Sequence, residues 1–131
     1  MMDMVSLASL EDYNSLLPDS WGIPTIPSDS LSSRVDSITG SHNGLDVIMM
    51  PGVAFDEAFN RLGHGRGFYD YYLTRYRKAK EGGRMPILIA LAFKEQMLGR
   101  DQVPVDVTDW QVDIIVTGDG RCLRREELLL N

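Results

Sequence analysis

Eleven residues from Asn60 to Asp70, NRLGHGRGFYD, concentrate the groups of this chain best suited to holding an anion. Gly63, Gly65 and Gly67 stand at every second position. Glycine loses more conformational freedom on folding than any other residue, so the cluster predicts a backbone that needs positive φ angles or the close approach of a ligand. A helix is expected directly afterwards. Its first amides lack carbonyl partners, and its dipole adds about half a positive charge at that end. Loop and helix together predict a phosphate cradle. Arg61 and Arg66 flank it and can donate charge-assisted hydrogen bonds to phosphate oxygens. A plain glycine-rich turn is the alternative that spacing alone leaves open. Neither G-x-x-x-x-G-K-[ST] nor G-x-G-x-x-G occurs, so Walker-type binding and dinucleotide oxidoreductase chemistry are not supported.

Other polar residues have two readings each. His64 sits inside the loop with no obvious carboxylate partner, and reads as a solvent-facing donor rather than a base. Asp70 falls in the first helical turn, where a carboxylate either complements the dipole or helps bind magnesium, an ion that takes one or two carboxylates beside substrate phosphates. Asp109 reads as a surface cap or as a second carboxylate at a strand edge. Trp21 reads as an anchor in the core by its size, Cys122 as a packing residue, and His42 carries no signal.

These groups need a frame, and the pattern of apolar residues supplies one. LDVIMMP, ILIALAF and VDIIVT are continuous apolar runs, the signature of strands buried on both faces. Between the first two lies FYDYYLTRYRKAK, where Phe68, Tyr69, Tyr72, Leu73 and Tyr76 recur at the helical period and are expected to face the sheet. This helix stops at Gly82-Gly83. KEQMLGRD resembles a shorter helix and VPVDVTDW a linking segment. MDMVSL reads as a strand, and SLEDYNSLLP as a helix started at Ser9 and stopped by Pro18. Residues 22–44 form a long polar loop. The expectation is one α/β domain over residues 1–131, with a mainly parallel sheet and helices on both faces in three layers.

Composition narrows the function. A chain of 131 residues with 44% apolar content can bury about two-thirds of its unfolded surface. One cysteine excludes an internal disulfide framework and fits a reducing compartment. No apolar run approaches a membrane span, and the start lacks a secretory signal, so a cytoplasmic protein without membrane contact is expected. The net charge of -6 argues against nucleic-acid binding. Residues 61–84 nonetheless hold seven basic and two acidic side chains, a balance of +5 that leaves -11 for the rest. Such a zone suits a small polyanion, although Arg77, Lys78 and Lys80 also read as a solvated helix face.

DVIMMPGVAFDEAFNRLGHGRGFYDYYL, with ALAFKEQ, VPVDVTDWQVDIIVT and the earlier MDMVSLASLEDYNSLLPDSWGIP, resembles the 5-formyltetrahydrofolate cyclo-ligase family, also called methenyltetrahydrofolate synthetases, from Met2 to about Thr117. The resemblance implies an α/β fold that uses ATP and Mg2+ to convert 5-formyltetrahydrofolate, or its polyglutamates, to 5,10-methenyltetrahydrofolate, ADP and phosphate. It implies that Arg61, Leu62, Gly63, His64, Gly65, Arg66, Gly67, Phe68 and Tyr69 bind ATP phosphates, with Arg66 and Tyr69 as the catalytic side chains. His64 through Phe68 would also touch the folate, Trp21 would line the pteridine pocket, and Asp70 and Asp109 would be the magnesium ligands. A monomer is expected. Two departures from the family pattern stand out. Phe59 occupies the place of a common glycine, and the chain begins after an upstream section that supplies the first strand, helices and further ligand contacts. A catalytically inactive, truncated remnant that binds nucleotide, folate or a protein partner is therefore the alternative function, with sugar-phosphate binding a third.

Overall fold

The computed structural model describes residues 1–40 and 42–126, and the chain falls into two compact units, residues 3–44 and residues 1–2 with 45–131.

In the smaller unit, helix α1 (Leu10–Asn14) begins where Ser9 accepts a hydrogen bond from the amide of Asp12, as its sequence predicts. Strands β1 (Leu17–Pro18) and β2 (Pro24–Thr25) pair antiparallel, and Ser28–Ser33 forms a 3-10 helix. The strand expected over MDMVSL is reduced to a single bridge between Val5 and Asp36, flanked by the bonds Ser6 N to Val35 O and Ser37 N to Met4 O. Alternation alone cannot make a strand where the partner segment is this short. Arg34 closes the unit with a two-pronged pair, Nη1 to Asp12 Oδ2 at 2.7 Å and Nη2 to Asp12 Oδ1 at 2.8 Å.

The larger unit holds strands β3 (Val47–Met49), β4 (Ala54–Asp56) and β5 (Arg61–Leu62), helix α2 (Phe68–Ala79), then β6 (Ile87–Ala92), β7 (Met97–Leu98), β8 (Ile114–Thr117) and β9 (Cys122–Arg124). One sheet runs β3-β6-β8-β9, with β3, β6 and β8 parallel and β9 antiparallel, and a smaller one runs β5-β4-β7. This is an α/β fold. The three long apolar runs form its central strands, but not as strands covered on both sides. In register, Ile48, Leu88, Ala90, Ala92, Ile115 and Thr117 share one face and are all buried. On the other face Val47, Met49, Ile87 and Leu91 are exposed, whereas Ile89, Ile114 and Val116 are half-buried. A continuous apolar run signals strand propensity on both faces and cannot tell which face is packed.

Helix α2 buries Tyr72, Leu73 and Tyr76, and the Tyr76 hydroxyl accepts from the amide of Leu45 at 2.7 Å. Phe68 is exposed, against the helical pattern, because it stands at the first helical position beside the open glycine loop. The helix expected over KEQMLGRD is one 3-10 turn, Lys94–Gln96, followed by β7. The Gln96 side chain turns the backbone there: Oε1 accepts from Phe93 N, and Nε2 donates to the carbonyls of Gly52 and Val53. No helix among the described residues is long and apolar enough to cross a membrane.

Candidate functional site

The hairpin β4–β5 delivers Arg61, and the turn that joins its strands explains how. Asp56 is fully buried, and its carboxyl accepts four hydrogen bonds. Oδ1 takes the amides of Ala58 at 2.9 Å and Asn60 at 3.1 Å, while Oδ2 takes Asn60 Nδ2 and the amide of Val103, both at 3.1 Å. Phe59 closes the turn with φ at 66°, in the left-handed region that costs a residue with a side chain about 1–2 kcal/mol. A three-residue loop ending in that conformation is a recurrent hairpin connection, usually with glycine at this place. The glycine that the family resemblance leads one to expect at Phe59 thus has a backbone reason, and here the fold carries the strain.

Arg61 is buried to 5% side-chain exposure. Its Nη1 donates to the carbonyl of Pro51 at 2.8 Å and its Nη2 to Asp70 Oδ2 at 3.3 Å, while the ring of Tyr69 lies 5.7 Å from the guanidinium carbon. Nε is buried without a partner. One guanidinium therefore joins the chain beyond β3, strand β5 and the start of α2. The glycines that follow divide their roles. A side chain at Gly63 would meet Arg61 Nη1 at 3.1 Å, so glycine here allows a close approach. Gly65 and Gly67 have φ of 87° and 66° and meet nothing within 4 Å where a side chain would point, so there it is the backbone that needs glycine. Gly67 starts α2 with no side chain in its cap, which leaves the first amides of the helix available to an anion.

Residues Arg61–Tyr71 line a cleft of about 640 Å³ together with Pro51, Thr74, Pro104, Asp106, Thr108 and Asp109. Every loop residue singled out from sequence, both arginines and both candidate carboxylates lie along this one cleft. Asp70 is tied on both sides, since Oδ1 accepts from the amide of Trp110 at 2.9 Å and Oδ2 from Arg61. Asp109 Oδ2 accepts from the amide of Asp106 at 3.0 Å, which fits the capping reading without removing the residue from the cleft. Trp21 belongs to the smaller unit, at the tip of the β1–β2 hairpin. It is 86% exposed there, so it is no core anchor. Asp19 Oδ1, accepting from the amides of Trp21 and Ile23, sets that tip. Arg77 is not simply solvated, because its guanidinium carbon stands 4.8 Å from the Trp110 ring centroid. Cys122 is exposed rather than packed.

Several contributors escape a reading of the sequence. Asp56 takes three of its donors from its own turn, at Ala58 and Asn60, but the fourth, the amide of Val103, is 47 residues away and leaves no local signal. VPVDVTDW reads as a linker, yet it supplies Asp106, Thr108 and Asp109. An Asp followed two residues later by Thr is a turn signal, and here Asp106 Oδ1 accepts from the amide of Thr108 at 2.8 Å and its hydroxyl at 2.6 Å. The Thr108 hydroxyl, followed by its amide, holds the Asp106 carboxyl below its ordinary value.

Comparison with known proteins agrees with the motif. Residues 1–118 match the 5-formyltetrahydrofolate cyclo-ligase family. A 5-formyltetrahydrofolate cyclo-ligase of Mus musculus is 42% identical over 119 residues, 91% of this chain and 55% of the relative. A mitochondrial one of Arabidopsis thaliana is 34% identical over 122 residues, 91% of this chain and 43% of the relative. A solved structure of a 5,10-methenyltetrahydrofolate synthetase from Mycoplasma pneumoniae matches 63% of this chain and 46% of its own, with 30% identity and a TM-score of 0.46. The chain thus spans about half the length of the curated relatives it matches, and with nine-tenths of its residues inside the family's pattern, it belongs to the 5-formyltetrahydrofolate cyclo-ligase family.

Proposed function

We propose that this polypeptide serves the ATP-dependent closure of 5-formyltetrahydrofolate to 5,10-methenyltetrahydrofolate, with release of ADP and phosphate. One observation carries the reading. A glycine loop with two positive φ angles opens into an uncapped helix start, in a cleft that also holds Arg61, Arg66, Asp70 and Asp109. A formyl oxygen on nitrogen is a poor leaving group. Transfer of the γ-phosphoryl group to that oxygen turns it into phosphate, and attack by the neighbouring folate nitrogen on the same carbon closes the ring and expels it. Loop amides and Arg66 would hold the phosphoryl oxygens, where fixed donors stabilise charge as it moves. Arg61, already held by Pro51 O and Asp70, would act as a fixed positive charge with little to reorganise. Residues His64–Phe68 would present the folate to the nucleotide and hold the reacting atoms at attack distance.

The donor set suits magnesium. Asp70 and Asp109 offer hard oxygens along one cleft. Each engaged oxygen of Asp70 retains acceptor capacity, since an ionised carboxylate has about four lone-pair sites. Magnesium takes one or two carboxylates, its remaining positions going to phosphates and water. Bound there, the ion would neutralise charge on the phosphates.

A second reading rests on the half-length span against the relatives: a chain that binds nucleotide or folate without turning it over. Purified protein given 5-formyltetrahydrofolate and Mg-ATP should develop the absorbance of the methenyl product. ATP binding without that absorbance would select the second reading, and absence of both would remove the cradle from consideration.

A further inference from the structure

The stretch that carries Asp109 runs from the end of β7 at Leu98 to the start of β8 at Ile114 without a strand of its own. Backbone of this kind holds a side chain in place only where it is tied down. Three of its ties lead to the turn between β4 and β5: Val103 N donates to Asp56, Gln111 Nε2 to the carbonyl of Ala58, and Val112 N to the carbonyl of Phe59. Trp110, next to Asp109, leads instead to α2. Its backbone amide donates to Asp70 Oδ1 at 2.9 Å, its indole Nε1 donates to Thr74 Oγ1 at 3.1 Å, and its ring centroid lies 4.8 Å from the guanidinium carbon of Arg77. The Thr74 hydroxyl in turn donates to the carbonyl of Asp70 at 3.0 Å.

Asp70, Thr74 and Arg77 are spaced four and three residues apart, so they share one face of the helix. The indole therefore rests on the same turn that presents the Asp70 carboxyl. The backbone bond to Asp70 survives any ordinary substitution at position 110, but one bond leaves the segment free to pivot about it. The two side-chain contacts remove that pivot. They add little to the stability of a helix already packed through Tyr72, Leu73 and Tyr76, whereas magnesium demands near-ideal octahedral geometry and responds to a small change in the spacing of its carboxylates. We propose that Trp110 is a positioning residue: seated on the Asp70–Thr74–Arg77 face of α2, its indole fixes the spacing of Asp70 and Asp109 and so sets how strongly magnesium joins a nucleotide to the cleft. This role rests on the reading of the cleft as a Mg-ATP site. Trp110 itself does not line that cleft.

Calorimetric titration of the 131-residue protein with a non-hydrolysable ATP analogue, once with Mg2+ and once with EDTA, tests the role without requiring turnover. The gain in affinity that Mg2+ brings is the quantity to follow, since a residue that serves only the fold would change both titrations alike. Trp110→Phe keeps a ring against Arg77 and removes the indole donor. The gain should fall about fivefold, the weight of one hydrogen bond, with the affinity in EDTA and the melting temperature unchanged. Thr74→Val removes the same bond from the helix side and should give the same loss, while the double variant should lose no more than either alone. Thr74→Ser, which keeps the hydroxyl, should match the parent. An unchanged gain in either Trp110→Phe or Thr74→Val, or equal losses with and without Mg2+, would overturn the role of Trp110 and leave the Mg-ATP reading in place. A parent protein that binds the analogue no better with Mg2+ than with EDTA would overturn that reading, and the role of Trp110 with it.

Discussion

Asp56 and Asp70 lie fourteen residues apart, at the two ends of the segment that shapes the cleft, and their carboxyl groups have opposite surroundings. Asp56 is fully buried and takes four N–H donors, with no cation among them. Asp70 takes one backbone amide and one guanidinium and borders open space. The first has spent its acceptor capacity on the fold, whereas the second keeps some for a ligand. Carboxylates that frame a site and carboxylates that serve in it are thus separated by what remains unsatisfied, not by how many bonds they make.

That contrast can be broken from either side. Asp56→Ala should be the most damaging change, since it strands four buried donors. We expect a loss of about 4 kcal/mol in urea-induced unfolding; a loss under about 1 kcal/mol would show that the turn does not depend on the carboxyl. Asp70→Asn should act on chemistry instead. Turnover of 5-formyltetrahydrofolate should fall at least about 100-fold, or about 2.7 kcal/mol. Stability should fall as well, though less than in Asp56→Ala, because an amide oxygen still accepts from Trp110 while the amide nitrogen in place of Oδ2 no longer accepts from the buried Arg61 guanidinium. Equal losses of stability in the two variants would erase the distinction. Phe59→Gly sharpens it more gently, by relieving the left-handed strain in the turn that Asp56 organises. A gain of about 1 kcal/mol should appear as a higher melting temperature.

Asp12 in the smaller unit provides a third case, a carboxylate with both oxygens held by one guanidinium. The Arg34 side-chain bond, assisted by the amide of Ala8, lowers its value from 3.8 to about 2. Because the folded-state value is depressed, the stabilisation is fully present above about pH 4 and is lost as pH falls through 2. Following the Ala8 amide resonance during acid titration should reveal this step, and Asp12→Asn should remove it. A titration near pH 4 would mean that the pair does not hold in solution.

Much of this arrangement is legible in the sequence where its cause is local. The three apolar runs mark β3, β6 and β8, the period of Tyr72, Leu73 and Tyr76 marks the buried side of α2, and alternate glycines mark the loop between. Ser9 marks the start of α1 by the same kind of near-neighbour bonding. What escapes is set by distant partners. The role of Asp56 depends on Val103, the tie from Arg61 ends on the carbonyl of Pro51, and the linker-like stretch 103–110 enters the cleft only because Trp110 N reaches Asp70. Exposure of Val47, Met49 and Leu91 is illegible for another reason: strand propensity is the same whether or not a layer covers the side chain.

The β4–β5 hairpin has strands of only three and two residues, so most of its cohesion converges on one side chain. The amide protons of Ala58, Asn60 and Val103 therefore share a single latch. When the Asp56 carboxyl swings out, all three become open to solvent deuterium at once, and they should exchange at one common rate despite belonging to segments more than forty residues apart.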